Sequence, residues 1–326
     1  MNRSGPPTRF APPHLMDLLL QIEESLEHPW THREMAERAG FSISRFYQVF
    51  LDGVGEPPMQ YLERLRLERA AVHLVYSSWN ILEIALLAGF QSHAGFTHAF
   101  TARYGVSPST FRQRHGVRGP LFGVPRRRPP ASRGIPPGTG EAPAPEVLPV
   151  PGFRIAFVRQ WGYDPRGVPA AWSILARWVR ERGLDPGVSR PVGLHYDDVR
   201  FTPAERCRYD AGIEVGPDFD PRGEVAVRDV PSGWMACLPY EGPLGGLPGA
   251  WQSFTDSWLP HSGYVPRTFF VFDRMPGFLL SQGIDSALPE RRASIRATLW
   301  IPVSPAPDSL PNVWVRGPLD SLEDDE

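Results

Sequence analysis

The chain has 326 residues, a Lys plus Arg total of 34 made up entirely of Arg, 36 Asp plus Glu, and a formal net charge of −2. This length is too great for one small core and points to two domains, while the near-neutral balance excludes an overall basic coat, so any DNA-facing charge must be segregated to one face. With two cysteines, no leader-like start and no apolar run of about 18 residues, the reading is a cytoplasmic chain with reduced thiols and no membrane partner.

In chain order, residues 1–13 are Pro-rich and polar and read as a loose tail. Leu15, Leu18, Leu19, Ile22 and Leu26 recur at helical spacing and predict a helix over His14–Glu27. Residues 31–115 then hold one pattern written twice. Thr31, Glu34, Ala36, Ala39 and Gly40 return as Asn80, Glu83, Ala85, Ala88 and Gly89. Ser42, Phe46, Phe50, Gly55, Pro58 and Tyr61 return as Ser92, Phe96, Phe100, Gly105, Pro108 and Phe111. In each copy Thr31 or Asn80 caps a helix, and the Glu three places on predicts a capping box. Gly40 or Gly89 ends that helix in a tight turn, and Ser42 or Ser92 caps a second one. Helix, tight glycine turn and helix make a helix-turn-helix. Pro57-Pro58 opens a long amphipathic helix over Met59–Tyr76 that bridges the copies. No Cys/His spacing suits a metal, since His93 and His98 are five apart and off one helical face.

Two such units bridged by one helix resemble the AraC/XylS family of transcription regulators. The resemblance rests on Ala36-Glu-Arg-Ala-Gly-Phe-Ser42, Pro58 with Tyr61 to Ala70, Ile84-Ala85 with Ala88-Gly-Phe90, and Tyr104 to Pro108 with Phe111-Arg112. It implies an all-α DNA-binding domain over 12–117, with double-stranded DNA as partner and RNA polymerase as a further one. In the family the positions matching Ser44, Tyr47 and Gln48, and Ala94, Gly95 and His98, face base edges. Arg45 and His93 are outward positions beside them. Ser42, Ser92, Thr97 and Arg103 are expected at phosphates, which position without specifying. Gln pairs with adenine and Arg with guanine, and the second helix is poorer in such side chains. The first is therefore expected to carry more of the specificity.

Residues 118–149 turn Pro-, Arg- and Gly-rich, including Arg126-Arg127-Arg128, and read as a linker. A linker of this length argues against rigid coupling, so the following domain is expected to act by occlusion or recruitment. Residues 150–304 hold a second duplication. A strand over Phe153–Gln160 is followed by a turn at Trp161-Gly-Tyr163 and a helix from Val168 through Trp178. Strands Val192–Tyr196 and Tyr209–Val215 complete the unit. The pattern returns as a strand over Trp234–Tyr240, a turn at Glu241–Gly246, a helix from Leu247 through Trp258, and strands Thr268–Phe272 and Ser294–Val303. This is βαββ twice, an α+β domain with two helices on one face of an antiparallel sheet. Residues 305–326 form an acidic tail expected to be disordered.

This half resembles the GyrI-like small-molecule-binding family. The residues are Gly193-Leu-His-Tyr-Asp-Asp198, Thr202 to Glu205, Tyr209 to Gly212, Tyr240-Glu-Gly-Pro243, Trp258 to Tyr264 and Trp300-Ile-Pro-Val303. The resemblance implies a groove between the repeats that takes bulky, often cationic aromatic ligands. Trp161, Tyr163, Trp172, Tyr196, Phe270 and Trp300 are the expected ligand-contacting residues, since aromatic walls suit flat ligands. The family often has a glutamate on the strand that here reads Thr268-Phe269-Phe270-Val271. Phe270 stands in its place, which favours a neutral or mainly apolar ligand unless Asp197, Asp210 or Glu241 substitutes. Adjacent Asp197 and Asp198 face opposite sides of a strand and cannot form an acid/base pair, and no nucleophile elbow, phosphate loop or cofactor motif is seen. The expectation is therefore a DNA-binding regulator with a ligand-sensing domain and no enzyme activity. The alternative is a protein that sequesters or hydrolyses its ligand.

Overall fold

A computed structural model describes residues 13–77, 79–116, 144–163, 167–185, 190–221, 225–267, 270–275 and 294–305. The first tail, the Arg126–Arg128 triplet and the acidic tail past Pro305 lie outside the described residues.

Both predicted helix-turn-helix units form. The first comprises α2 (His32–Arg38) and α3 (Ile43–Val54). Then come α4 (Pro58–Tyr76), α5 (Ile81–Leu87), α6 (His93–Tyr104) and α7 (Pro108–His115). The 50-residue echo is realised as one aromatic stack built twice. Phe46, Phe50 and Tyr61 meet edge to face at 5.4 and 5.6 Å between centroids, while Phe96 meets Phe100 tilted at 5.4 Å and Phe100 meets Phe111 edge to face at 5.2 Å. The turns hold as expected, with Gly40 at φ 73° and Gly89 at φ 83°. The capping box forms in the second unit only. Asn80 Oδ1 accepts from Glu83 N at 2.9 Å, and Glu83 accepts from Asn80 N at 2.8 Å. In the first unit Thr31 caps Glu34 N, but the Glu34 carboxylate is drawn away by His28 and Arg38, both at 2.9 Å.

The opening helix α1 (Pro13–Glu24) has Leu15, Leu18, Leu19 and Ile22 fully buried and Met16 and Leu20 buried beside them. Asp17, Gln21 and Glu24 form a narrow exposed polar stripe, and the wider apolar remainder of the helix must be covered. It packs on the first helix-turn-helix, as its spacing predicts, and also on the sheet of the second domain.

That sheet is antiparallel. Its strands are β1 (Glu146–Val150), β2 (Phe153–Trp161), β3 (Pro191–His195), β4 (Arg208–Val215), β5 (Ala226–Val230), β6 (Gly233–Pro243), β7 (Tyr264–Pro266), β8 (Val271–Arg274) and β9 (Ser294–Pro305). The order is β1-β6-β9-β8-β3-β4-β2-β5, with β7 beside β9. This order reads the same from either edge once repeat partners are exchanged, which confirms the duplication. The unit is larger than βαββ, however. Each repeat begins with an extra strand, β1 or β5, before a proline turn at Pro151 or Pro231. β1 lies within the stretch read as linker, and it pairs with β6 of the other repeat, while β5 pairs with β2. Of the strand expected over Thr268–Phe272, Thr268 and Phe269 lie outside the described residues, and β8 is described over Val271–Arg274. β6 runs to Pro243, through residues read as a turn.

One face of the sheet carries Ala156, Val158, Ala211, Ile213 and Leu299 and is covered by α8 (Gly167–Glu181) and α9 (Leu247–Gln252). The second helix is expected to be continuous through Trp258. It instead widens into a π turn at Ser253–Trp258 and closes as a 3-10 turn at Leu259–His261. The other face carries Ile155, Phe157, Leu194, Phe272 and Trp300, and these share one buried cluster with α1 and the first helix-turn-helix. The two domains therefore share a core.

Candidate functional site

The second helices α3 and α6 turn their polar sides away from both domains. Ser42, Ser44, Arg45, Tyr47 and Gln48 are exposed, as are Ser92, His93, Gly95 and His98. The Ser42 and Ser92 hydroxyls accept from Arg45 N and Gly95 N and hold the first turns open to solvent. Two of the expected phosphate contacts are turned inward. Arg103 is tied to Glu68 at 3.2 Å and lies over the Tyr104 ring, and the Thr97 hydroxyl is buried. On α3 Ile43, Tyr47 and Leu51 also stand exposed at i, i+4 and i+8, an apolar stripe beside Ser44 and Gln48.

The six expected ligand-contacting aromatics do not gather in one groove, because strand alternation sends them to opposite faces. Tyr163 lies on the helix-covered face of the sheet, and Trp172 projects onto that face from α8. Trp172 is fully buried, with Nε1 donating to Tyr209 Oη at 3.0 Å, and serves as core. Trp161 and Trp300 face the other way. Both are buried, and Trp300 is stacked on Phe272 at 5.9 Å. Tyr196 and Phe270 also face the helix-turn-helix domain, with their rings 6.2 Å apart, and they line a cavity between the domains.

Two side chains in the groove beneath the helices were missed by the sequence reading. His195 on β3 and Asp273 on β8 meet across the central strand pair, Nε2 to Oδ2 at 2.8 Å, and His195 Nδ1 meets Tyr163 Oη at 3.1 Å. The carboxylate sought at Thr268–Val271 thus lies further along the same strand. Asp273 alternates with Phe272, so its orientation is legible once the strand is carried one residue past Phe272. Gly193 makes room for this cluster: a Cβ there would sit 2.4 Å from Tyr209 Oη and 2.5 Å from Asp273 Oδ1. Both nitrogens of His195 are engaged, and burial drives the Tyr163 hydroxyl well above its ordinary pKa, with Asp197 adding to the shift. The arrangement is an Asp–His–hydroxyl chain in which Asp273 orients the imidazole. Asp197 and Asp210, considered above as substitutes, face the opposite side, and Glu241 lies at the surface with Arg296.

The larger unforeseen feature is a band of buried charge where the domains meet. Arg159 on β2 holds Asp210 with two hydrogen bonds, at 2.6 and 2.8 Å, and donates Nη1 to Glu23 of α1 at 2.5 Å. The same Glu23 oxygen accepts from Tyr61 of α4 at 2.7 Å and lies 3.1 Å from Arg208, which itself grips Asp197. Burial alone would raise the Glu23 carboxyl, but Arg159, Arg208 and Arg228 outweigh it and bring its pKa down to about 2. Alongside, Arg64 bridges Glu56 and Glu68, and Arg206 of the second domain also reaches Glu56. The second helix-turn-helix is touched as well: Phe201 packs on Phe111 at 5.1 Å, and Arg200 donates to the Tyr76 hydroxyl at 3.0 Å. The expected loose coupling is corrected here, because covalent slack in a linker does not prevent non-covalent docking. Cys207 and Cys237 are free and buried. Among the described residues no cluster could hold a metal ion, and no helix is long and apolar enough to cross a membrane.

Comparison with known proteins agrees with this geometry. Residues 35–114 match a helix-turn-helix domain family, and residues 143–275 match the GyrI-like small molecule binding domain. The HTH-type transcriptional regulator AlkR of Acinetobacter baylyi is 35% identical over 106 residues, which is 32% of this chain and 35% of that protein. The right origin-binding protein of Escherichia coli is 32% identical over 112 residues, 33% of this chain and 39% of its own. The chain thus spans little more than a third of the length of these relatives. The solved DNA-binding domain of AdpA, in complex with a target DNA, aligns over 32% of this chain and 93% of its own at 26% identity, with a TM-score of 0.31. The chain joins an AraC-type helix-turn-helix domain to a GyrI-like domain.

Proposed function

We propose that this protein is a transcription regulator that reads double-stranded DNA with α3 and α6 and senses a small aromatic molecule through its GyrI-like domain. The observation that carries the reading is the division of labour on the helical domain. The polar sides of both second helices are exposed, while the sheet grips the same domain from behind through Glu23, Glu56 and Tyr61. Such a contact lets a ligand act through the relative position of the two units, without covering the DNA face. It requires only that the ligand prefer one docked arrangement over another. Ser44, Arg45, Tyr47 and Gln48 would read bases in one groove segment and His93, Gly95 and His98 in the next, with RNA polymerase as a further partner.

The hydrolytic alternative would take its base from His195, which Asp273 and Tyr163 hold. It leaves the exposed polar sides of α3 and α6 without a role, so the regulator reading is preferred. Selection of genomic fragments by the purified full chain should return a motif of two segments about 34 Å apart, one turn of DNA. Gln48→Ala should relax preference in one segment more than His98→Ala does in the other. Enrichment no better than a salt-sensitive background would overturn the reading.

A further inference from the structure

The cavity between the domains has a volume of about 570 Å³, within the range of small-molecule sites. It is walled by α1, α4 and α5 on one side and by the sheet face and the residue 196–202 segment on the other. Of its six carboxylates five are matched: Glu23 by Arg159 and Arg208, Asp197 by Arg208, Glu68 by Arg64 and Arg103, Glu27 by Arg69 and Asp198 by Arg200, while Glu24 is exposed to solvent. Two of its arginines make no ion pair among the described residues, and Asp210 and Glu23 act on Arg228 only from beyond contact distance. Arg228 donates Nη1 to the Tyr196 hydroxyl at 2.7 Å, and Arg267 donates Nη2 to the Ser232 carbonyl at 2.7 Å. Both partners are neutral. In each arginine Nε is buried with no hydrogen-bond partner, and among the described residues neither guanidinium has a carboxylate within ion-pair distance. Nearby Asp210 is held by Arg159. Desolvation lowers the pKa of Arg267, and no acid opposes it.

A desolvated guanidinium without a counter-charge is costly unless something anionic completes it. The Arg228 guanidinium also lies 5.3 Å from the centroids of both Tyr196 and Phe270, so the unpaired charge sits beside aromatic surface. We propose that this interdomain cavity binds a small anionic aromatic molecule, its carboxylate or sulfonate held by Arg228 and Arg267 and its ring laid along Phe270 and Tyr196. Guanidinium groups suit planar oxyanions because they offer paired donors at fixed geometry. A cationic aromatic meets two arginines that lack an ion-pair partner there and is disfavoured. The site differs in place and charge preference from a groove beneath α8 and α9. It exists only while the domains are docked, so occupancy stabilises the docked arrangement. Its consequence for DNA rests on the regulator reading above, whereas binding itself is measured without DNA, so the two can fail separately.

The test is calorimetric titration of the full chain with three probes of one shape and different charge: 2-naphthoate, naphthalene-2-carboxamide and 2-naphthylmethylammonium. Naphthoate should bind one to one and roughly tenfold or more tighter than the amide, with the ammonium weakest. Arg267→Gln and Arg228→Gln should each weaken naphthoate by about tenfold or more. Arg296→Gln, an exposed change of the same charge, should leave it unaltered. Thermal melts show whether each variant folds. If Arg228→Gln does not fold, the half-buried Arg267→Gln and the probe series still decide. Equal affinity for all three probes, naphthoate affinity indifferent to Arg267→Gln, or no binding at millimolar naphthoate each overturns the proposal.

Discussion

The two helix-turn-helix units share caps, turns and aromatic stacks, yet they sit in different surroundings. The first merges its core with a sheet from the other end of the chain, and Glu23, Glu56 and Tyr61 carry charge and hydrogen bonds across the joint. The second keeps a core of its own and meets that sheet's domain mainly through Phe201 and Arg200. At the turns the contrast inverts. A Cβ on Gly40 would meet nothing within 4 Å, whereas one on Gly89 would sit 2.5 Å from Leu26 O and 2.7 Å from Arg66 Nε. An internal repeat therefore specifies how a unit folds, while its neighbours decide what each copy is tied to.

The strongest way to break the asymmetry is Glu23→Ala. It removes the carboxylate that Arg159, Arg208 and Tyr61 share, leaving two arginines with only Asp210 and Asp197 in a desolvated joint, and should cost about 3–5 kcal/mol. Denaturant titration should show the loss, and protease sensitivity should rise at the interdomain face. A loss below about 1 kcal/mol would mean the joint is solvated. Next comes the turn pair. Ala in the left-handed region costs about 1–2 kcal/mol by itself, so Gly40→Ala should cost that much. Gly89→Ala must in addition displace Arg66 from the Leu26 and His28 carbonyls, and should cost about 3 kcal/mol or more. Equal midpoints for the two variants would remove the distinction.

Acid should loosen the molecule in two windows. Burial, with Arg69 adding to it, lowers His73 from 6.5 to about 3. The folded state thus keeps His73 neutral, and its contribution is complete above pH 6.5 and lost as pH falls towards 3. Glu23 is lowered from 4.5 to about 2, so its contribution is complete above pH 4.5 and lost towards 2. The slope approaches about 1.4 kcal/mol per pH unit for each group inside its window. Denaturant midpoints that stay flat from pH 6.5 to 4.5 would contradict a buried neutral His73. The smallest contrast is at the caps. Asn80→Ala removes the acceptor of a completed capping box and should cost about 1–2 kcal/mol, against about 0.5–1 for Thr31→Ala. Helix content followed by circular dichroism during denaturation would separate them.

The helical domain was legible because its signals are local. Capping residues, turn glycines and i, i+4 aromatics all act within a few positions, and each recurs 49 or 50 residues on. The sheet was legible in its βαββ rhythm but not at its edges. β1 is short and Pro-containing and hides in a Pro-rich stretch, and β5 follows a turn-rich segment. The ligand-contacting residues were the least legible. Trp161, Trp172 and Trp300 were singled out as aromatics near strand ends, and the structure uses them as core. Arg159 carried a signal that went unused: a charge at a position in phase with Ile155, Phe157 and Trp161 must be paired if it is buried. Its partner Glu23, 136 residues away, could not be named from spacing.

The exchange of β1 and β5 makes the GyrI-like half a domain-swapped dimer written into a single polypeptide. Each repeat surrenders its leading strand to the other and receives one in return, so neither can complete its own edge. Cut between β4 and β5, the pieces would each display an open flank on β2 or β6 and recover it only by rejoining. The sheet of this half is therefore the property of an interlocked pair, and no single repeat can be lifted out as a smaller unit with its edges complete.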